Sequence, residues 1–344
     1  MRSSIFPVAI LAVALVVAGC AKSSTPSGSA HGTPAGQVKV ALVPGGPHPY
    51  FQPWKTAAQQ AKTDFSLGGV TFNETSGWDQ TTQNSVLTSL EAQGYNAFGV
   101  FGVSPDNINS TFSKLKHDGF PAASLGSCPA GNTDNADFCL ATDVQQAAYK
   151  AAKIAIQAMG GQGNLVHLTG NKTDSNTARR EAGVQQAVDE TGGKVKLIQT
   201  VTDIDTDLQT AQKAVADLLA AKGSQINAIV NTADNPAIAS AAAVKQAGLP
   251  IKVVAIDDDP TVIADIKAGT VTATIAQNPV GQAYDGAYAL MKLAGGCTMK
   301  TPGQVIDSGS FEVTQSNVDT YDTQRQAMTK QIKSDFDTKY LSCK

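Results

Sequence analysis

The stretch VVAIDDDPTVIADIKAGTVTATIAQNP covers residues 253–279 and contains the pattern that decides the fold. The short apolar runs KVVAI (252–256) and TATIA (272–276) predict two buried strands, and the segment that starts at Pro260 predicts a helix between them. A strand, a helix and a second strand at this spacing favour the right-handed βαβ unit, in which the two strands are parallel. The segment therefore predicts part of a parallel sheet covered by helices.

The same rhythm extends through the rest of the chain and restarts after Cys139, so one set of βα units precedes residue 142 and another follows it. Roughly 300 residues take part, which is more than one compact core usually holds. We therefore predict an α/β protein with two doubly wound parallel-sheet lobes. The other predicted strands are VKVALV (38–43), VTF (70–72), AFGVF (97–101), PAASL (121–125), NLVHL (164–168), KVKLIQTV (194–201), NAIVN (227–231) and GSFEV (309–313), and helices are predicted over 51–65, 81–93, 105–117, 143–159, 175–191 and 280–294.

The amino-terminal segment is predicted to lie outside the fold. A positively charged start and an apolar run over 5–18 are typical of a signal peptide, because the run is too short for a comfortable membrane span. The run ends in VAGC (17–20), which resembles the lipobox of bacterial lipoproteins, so residues 1–19 would be removed and Cys20 would carry a diacylglycerol. The alternative is an ordinary secretory peptide with a chance cysteine. Residues 20–37 are dominated by Ala, Ser, Thr, Pro and Gly and predict a flexible tether.

Charge and motif content argue against several classes of function. The net charge is −3, with no basic block, so a nucleic-acid partner is not expected. The chain has no GxSxG, P-loop or HExxH motif, so we expect no catalysis and no cofactor. The four histidines, at positions 31, 48, 117 and 167, are scattered, and the run 257–259 offers too few converging oxygens for a hard cation, so no metal site is expected.

Four cysteines remain besides Cys20, namely Cys128, Cys139, Cys297 and Cys343. An even number in an exported chain suggests disulfides. The local pairings are Cys128 with Cys139 and Cys297 with Cys343. The sequence does not decide the connectivity, and free thiols or a metal site are the alternatives.

Two doubly wound lobes place a binding site between them. Ligands of open α/β sheets bind outside the carboxyl ends of the strands, so lobes that face each other with these ends form a cleft. Hinge closure of such a cleft surrounds a small polar ligand on all sides.

Four segments carry a family resemblance through their order and spacing: VALVPGGPHPYFQPW (40–54), GNKTDSNTARREAGVQQAV (170–188), NTADNPAIASAAAVKQAG (231–248) and residues 253–279. With them the chain resembles the periplasmic sugar-binding proteins of ABC transporters, of the ribose-binding type within the type I periplasmic-binding fold. The resemblance covers nearly all of residues 38–318.

The resemblance implies an N-terminal lobe of residues 38–141 plus 278–311 and a C-terminal lobe of 142–277 plus 312–344, joined by a multi-strand hinge. It also implies a monomeric receptor that captures a monosaccharide or sugar alcohol and delivers it to the permease of an ABC transporter. Such a receptor would sit on the extracytoplasmic side of the cell membrane, held there by its lipid anchor alone. The alternative is a ligand-sensing receptor of the same fold for a non-sugar small polar molecule, which serves signalling rather than transport.

The first of the four segments supplies a candidate aromatic wall. The family has a loop here whose aromatic pair points into the cleft, and the resemblance places Tyr50 and Phe51 there, with Trp54 one helical turn further on. The apolar faces of sugars stack on such rings. In the alternative interpretation, one or more of these rings fill the core between helix and sheet. His48 stands where family members often have a hydrogen-bonding asparagine, and it can donate to or accept from a hydroxyl.

Asp257 and Gln277 are the leading polar candidates. Asp257 ends a buried strand and should therefore face the cleft, where the resemblance implies that it accepts hydrogen bonds from sugar hydroxyls. The alternative for Asp257 is a helix N-cap, a role that Asp258 or Asp259 fits better. Gln277 matches the hinge-region glutamine of the family, whose amide both donates and accepts.

The helix starts of the second lobe add further candidates. The ligand-binding arginine of the family corresponds to Ala178, so Arg179 or Arg180 is expected to replace it, and Arg180 aligns better. Asn176 begins the same helix. Asn235 follows the strand 227–231, and it either contacts the ligand or caps the helix that follows it.

One departure from the family concerns the end of the fourth strand. The ribose-type proteins carry an Asp-Arg pair there, whereas this chain has Gly126-Ser127-Cys128, so two strong hydroxyl partners are lost. A sugar would have to be recognised differently, with Ser127 as a candidate at this edge. Trp78 and Asp79 follow the carboxyl end of the second strand and are candidates to compensate, because a second stacking ring suits a sugar, a linear polyol or a cyclic polyol.

Overall fold

The computed structural model describes residues 32–131 and 135–343. The predicted signal peptide (1–19), the lipidation residue Cys20 and the tether up to residue 31 lie outside the described residues. Along the described ranges, no helix is both long and apolar enough to cross a bilayer.

The described end of the predicted tether contacts the folded body. The Thr33 amide donates to the carbonyl of Ala294 at 2.8 Å, and the Gly68 amide donates to the carbonyl of Ala35 at 3.2 Å. Residues Ala35–Gln37 form a single 3-10 turn. This differs from the expectation that the whole of 20–37 is a flexible tether.

In the described part of the chain, the first lobe is built on a sheet of six parallel strands covered by helices. The inner strands are buried along their whole length because helices lie on both faces. The strands are β1 (Lys39–Val43), β2 (Gly69–Phe72), β3 (Ala97–Val100), β4 (Ala122–Leu125), β5 (Phe138–Ala141) and β12 (Gln304–Asp307), in the spatial order β12-β5-β4-β3-β1-β2, and the helices are α1 (Gln52–Asp64), α2 (Gln80–Ala92), α3 (Ile108–His117) and α9 (Pro279–Ala294).

The second lobe is built, within the same described ranges, on another sheet of six strands, of which the last is antiparallel to its neighbour. The strands are β6 (Gly163–Leu168), β7 (Val195–Val201), β8 (Ala228–Asn231), β9 (Lys252–Ile256), β10 (Ala273–Gln277) and β13 (Ser310–Val313), in the order β13-β10-β9-β8-β6-β7, and the helices are α4 (Val144–Ala158), α5 (Ser175–Asp189), α6 (Leu208–Lys222), α7 (Asp234–Ala247) and α8 (Pro260–Ala268). The last helix, α10 (Tyr321–Asp335), follows β13 and packs on α9 of the first lobe.

The predicted fold class is confirmed, since both doubly wound sheets are present and each predicted strand is found within about two residues of its expected bounds. Strands β5 and β12 were not predicted from the sequence pattern. β5 has only four residues. β12 lies at the edge of its sheet, where Val305 and Asp307 are exposed, so it lacks the continuous apolar run of a buried strand.

The chain crosses between the lobes near residues 142, 278 and 308. The hydroxyl oxygens of Thr142 and Ser308 lie 3.1 Å apart, and the Gln282 amide nitrogen donates to the Ser308 hydroxyl at 3.0 Å. The Ser308 backbone amide also donates to the carbonyl of Ala141 at 2.9 Å. These hydrogen bonds hold the crossings side by side, as a multi-strand hinge requires.

The carboxyl-terminal tail returns to the first lobe after β13. Ile332, Phe336 and Leu341 are buried in the hydrophobic core of that lobe, and the Phe336 ring lies 5.2 Å from the ring of Phe138. The end of the tail, which the sequence analysis groups with the C-terminal lobe, therefore packs on the first lobe. Burial of these apolar side chains on the first sheet explains the return.

Both disulfides expected from local pairing are present, Cys128 with Cys139 and Cys297 with Cys343. The second bond ties the segment after α9 to the end of the chain. There the short strands β11 (Thr298–Met299) and β14 (Leu341–Ser342) pair antiparallel.

Candidate functional site

A small cavity of about 50 Å³ lies where the carboxyl ends of the two sheets face each other. The first lobe contributes mainly aromatic rings and the second mainly ionisable groups. The lining residues are His48, Tyr50, Phe51, Trp78, Phe101, Gly126, Asp174, Asn176, Arg180, Asp205, Ala233, Asp257 and Gln277.

The aromatic wall is a cluster of rings that pack edge to face. The ring centroid of Phe51 lies 5.2 Å from that of Tyr50 and 5.1 Å from that of Phe101, and the ring centroid of Trp78 lies 6.2 Å from that of Phe101. Such packing fixes the orientation of each ring. The wall is therefore a preformed apolar surface at one side of the cavity.

Trp78 depends on two glycines for its place in this wall. A Cβ atom on Gly45 would lie 2.6 Å from Trp78 Cζ3, and one on Gly46 would lie 2.8 Å from its Cδ1. The Trp78 backbone has a φ of 61°, in the left-handed region, and its amide donates to the Gly45 carbonyl at 2.8 Å. Only glycine allows the backbone to approach the indole this closely.

The polar wall begins with Asp257 and Gln277 at the ends of β9 and β10. The Gln277 amide nitrogen donates to Asp257 Oδ1 at 2.6 Å, which leaves Oδ2 for a ligand. Burial raises the pKa of Asp257 to about 6, against the opposing charge of Arg180. Asp257 also has a left-handed backbone, with φ at 78°. Backbone strain of this kind clusters at functional sites.

Arg180 projects from α5 into the same cavity and is only 9% exposed. Its Nε has no hydrogen-bond partner within the described residues, so the guanidinium is free to bind a ligand. Arg179, the other candidate, lies on the outer side of the helix and pairs with Asp143 at 3.3 Å. The geometry therefore selects Arg180 as the arginine of the cavity.

Hydrogen bonds across the cleft hold the lobes together around the cavity. His48 Nε2 lies 3.0 Å from Asp205 Oδ2, and the Asn176 amide nitrogen donates to the carbonyl of Gly126 at 3.2 Å. Burial lowers the pKa of His48, but the charge and hydrogen bond of Asp205 outweigh burial, and the net shift is upward. The structure therefore represents a closed cleft.

Of the predicted site residues, eight line the cavity: His48, Tyr50, Phe51, Trp78, Asn176, Arg180, Asp257 and Gln277. The remaining four do not line it. Trp54 is fully buried in the first core. Asp79 is exposed and caps α2, where it accepts from the Thr82 amide at 2.7 Å. Ser127 lies 3.1 Å from the Ser175 hydroxyl across the cleft.

Asn235 neither lines the cavity nor caps α7. Its backbone amide donates to Asp205 Oδ1 at 3.1 Å, and its side-chain amide donates to the Asp205 carbonyl at 3.1 Å. It therefore holds Asp205 in place. Asp259, rather than Asp257, is the N-cap of α8, because its carboxylate accepts a hydrogen bond from the Thr261 amide at 2.7 Å. The sequence analysis favours Asp258 or Asp259 for this role.

Five cavity residues were not among the predicted site residues: Phe101, Gly126, Asp174, Asp205 and Ala233. Asp174 caps α5, where it accepts from the Asn176 amide at 3.0 Å, and a helix N-cap at a strand end is a signal that could have identified it. Asp205 lies in the loop after β7, and no spacing or motif singles it out from its neighbours.

The arrangement suits a small molecule with an apolar face and a hydrogen-bonding edge. Among the described residues, no group of three or more His, Cys, Asp or Glu side chains is arranged to hold a metal ion. The ionisable wall offers carboxylate acceptors, a guanidinium and amides, all of which pair well with hydroxyl groups.

Comparisons with known proteins agree with this geometry. The sequence profile of the periplasmic binding protein domain family matches residues 40–297. A xylitol-binding protein of Mycolicibacterium smegmatis is 26% identical over 243 residues, which cover 70% of this chain and 67% of that protein. A D-apiose import binding protein of Actinobacillus succinogenes is 22% identical over 269 residues, which cover 77% of this chain and 85% of that protein. A crystallised solute-binding protein of Burkholderia graminis in complex with D-arabinose has a TM-score of 0.76 at 20% identity, over 83% of this chain and 98% of that chain.

Proposed function

This chain belongs to the periplasmic binding protein domain family, and from that premise we propose that it captures a monosaccharide or sugar alcohol between its lobes and delivers it to the permease of an ABC transporter. The relatives described above are binding proteins rather than enzymes. In this proposal the mature protein is a monomer that is attached to the extracytoplasmic face of the cell membrane through a lipid on Cys20.

The observation that carries the proposal is the two-sided cavity in the closed cleft. Tyr50, Phe51 and Trp78 offer apolar surface to the C–H face of a polyhydroxyl compound, and Asp257 and Arg180 face them with acceptors and donors. A buried polar ligand needs partners for all its hydroxyls, and a site that closes around it supplies them. Named ligands of the relatives, which are xylitol, D-apiose and D-arabinose, support this class.

The first test is a thermal-shift screen of the mature chain against pentoses, hexoses, deoxysugars and polyols. A ligand present at a hundred times its Kd should stabilise the protein by about 2.7 kcal/mol. A shift confined to one stereochemical group supports the proposal. No shift with any compound of the panel contradicts a sugar or polyol ligand.

The second test asks whether this cavity is the site. Asp257→Ala should weaken binding of the compound found in the screen by about 1–3 kcal/mol, or roughly 5- to 150-fold, because ligand hydroxyls lose a buried acceptor. Asp217→Ala, on the exposed face of α6, is the matched control and should leave the affinity unchanged. Equal affinities of the two variants would remove Asp257 from the binding site.

The membrane attachment is tested separately. Replacement of Cys20 by serine should abolish the incorporation of labelled fatty acid into the protein, because Cys20 is the acylated residue in this proposal. Incorporation of label into the variant would contradict a lipid on Cys20.

A further inference from the structure

One end of the cavity is unusually rich in carboxyl groups. An open groove adjoins the cavity there and shares Tyr50 and Asp257 with it. Asp234, in the first turn of α7, lines the groove and is 2% exposed, and Asp257 is 5% exposed. Asp258 and Asp259 line the same groove. Buried carboxylates are costly unless charges or hydrogen bonds compensate them.

Asp234 is the carboxyl group with the least compensation. Its Oδ2 is buried and has no hydrogen-bond partner in the part of the chain that the structure describes. His48 Nδ1 lies 3.7 Å away. This distance is too long for a hydrogen bond, and the Tyr50 amide donates to the same nitrogen at 3.2 Å. The other ring nitrogen of His48, Nε2, lies 3.0 Å from Asp205 Oδ2.

Two arginines lie in this region. Arg325, across the groove, pairs with Asp258 and Asp322. Arg180 lines the cavity, and its charge opposes but does not outweigh the effect of burial, which raises the pKa values of Asp174 and Asp257. The region therefore holds more carboxyl groups than cations to balance them.

The acid–base behaviour of Asp234 agrees with this imbalance. Burial raises its pKa well above the ordinary value, and the charges of Asp257 and Asp205 raise it further. In the absence of a ligand, a proton compensates part of this negative charge. A ligand that brings its own positive charge would replace that proton.

We infer that the ligand is a polyhydroxyl compound with one protonated amine, an amino sugar or amino alditol, whose ammonium group binds between Asp234 and Asp257. The inference rests on the proposed function and narrows its ligand class. An ammonium group has three donors, so it can serve two carboxylates, and charge-assisted bonds are about twice as strong as neutral ones. Tyr50 lines the same groove, and the faces of aromatic rings attract cations.

The test compares matched ligand pairs by isothermal titration calorimetry on the mature protein at pH 7. The pairs are glucosamine with glucose, galactosamine with galactose, and glucamine with sorbitol, and N-acetylglucosamine keeps the nitrogen without its charge. We expect at least one amine to bind tenfold or more tightly than both its hydroxyl partner and an acetylated form. If no amine binds more tightly than its hydroxyl partner while a sugar or polyol of the thermal-shift screen does bind, this inference is overturned and the proposed function stays in place. If neither the amines nor any compound of that screen binds, the proposed function itself is overturned.

Two variants locate the ammonium group. Asp234→Asn should reduce the preference for the amine over its hydroxyl partner at least tenfold, with less than a threefold change for the hydroxyl compound. Asp257→Asn serves as the second variant should the first one fail to fold, which thermal denaturation without ligand would show. Asp217→Asn, exposed on α6, is the matched control and should keep the full preference. An unchanged preference in a folded Asp234 or Asp257 variant places the ammonium group elsewhere and overturns the inference.

Discussion

Replacement of Asp285 by asparagine should stabilise the protein, and the gain should depend on pH. Asp285 lies in α9, is fully buried, and neither of its carboxylate oxygens has a hydrogen-bond partner among residues 32–131 and 135–343. Burial raises its pKa to about 8, and the charge of Lys333 offsets only part of this effect. Asparagine has the same size and shape but does not titrate.

The magnitude follows from proton linkage. The folded protein holds a proton on Asp285 up to about pH 8, whereas the unfolded chain loses it near the ordinary pKa of 3.8. Between these values the folded state binds the extra proton, so the stability of the unmodified protein falls as pH rises, by about 1.36 kcal/mol per pH unit. The accumulated loss is roughly 4 kcal/mol at pH 7, and above pH 8 no further loss occurs because both states are then ionised.

The assay is urea denaturation of the mature protein and of Asp285→Asn at pH 5, 6, 7, 8 and 9. The stability difference in favour of the variant should grow by about 1.4 kcal/mol per unit up to pH 8 and then level off. Asp217→Asn, an exposed aspartate that pairs with Lys213, should show no comparable growth. A difference that is constant with pH, or one that favours the unmodified protein at pH 8, would refute the assignment of a proton to Asp285.

Three further changes test the packing. Trp54→Ala should lower the free energy of unfolding by about 3–5 kcal/mol in denaturant titrations, because Trp54 belongs to the core. The ligand affinity should stay within twofold, and a large loss of affinity in the folded variant would place Trp54 at the binding site. Gly183→Ala should cost about 1–3 kcal/mol of stability, because its Cβ would lie 2.2 Å from the Gln145 carbonyl oxygen where α5 packs on α4; an unchanged melting temperature would contradict this contact. Replacing Cys297 and Cys343 together by serine should lower the free energy of unfolding by about 4 kcal/mol, because the disulfide joins positions 46 residues apart and so restricts the unfolded chain. Equal stability of the oxidised protein and the double variant would argue against this disulfide.

The fold could be predicted from the sequence to a large extent. Buried strands such as KVVAI (252–256) and AFGVF (97–101) are short continuous apolar runs because helices cover both faces of their sheets. The strand β12 (Gln304–Asp307) gives no such run, since an edge strand exposes alternate residues. The return of Phe336 to the first core was also not predicted, because nothing local decides which of two cores an apolar residue enters.

Site residues could be predicted where the position of a residue at the end of a strand determines the direction of its side chain. Asp257 and Gln277 follow buried strands, so their place at the carboxyl edge of the sheet depends only on where the strand ends. Trp54 could not be assigned in the same way, because its position relative to the core depends on how α1 packs on the sheet. Asp205 was missed because it lies in the loop after β7, where no local pattern distinguishes it from its neighbours.

The sequence by itself therefore determined the order of strands and helices, the two-lobed α/β class and the strand-end residues of the cleft, since all of these follow from local periodicity and the direction of the chain. Only the tertiary structure decided which side chains share the cavity and which charges remain unbalanced there. Pairing across the cleft, as between His48 and Asp205, joins residues that are 157 positions apart, and such proximity depends on the docking of two separately folded sheets rather than on any local pattern.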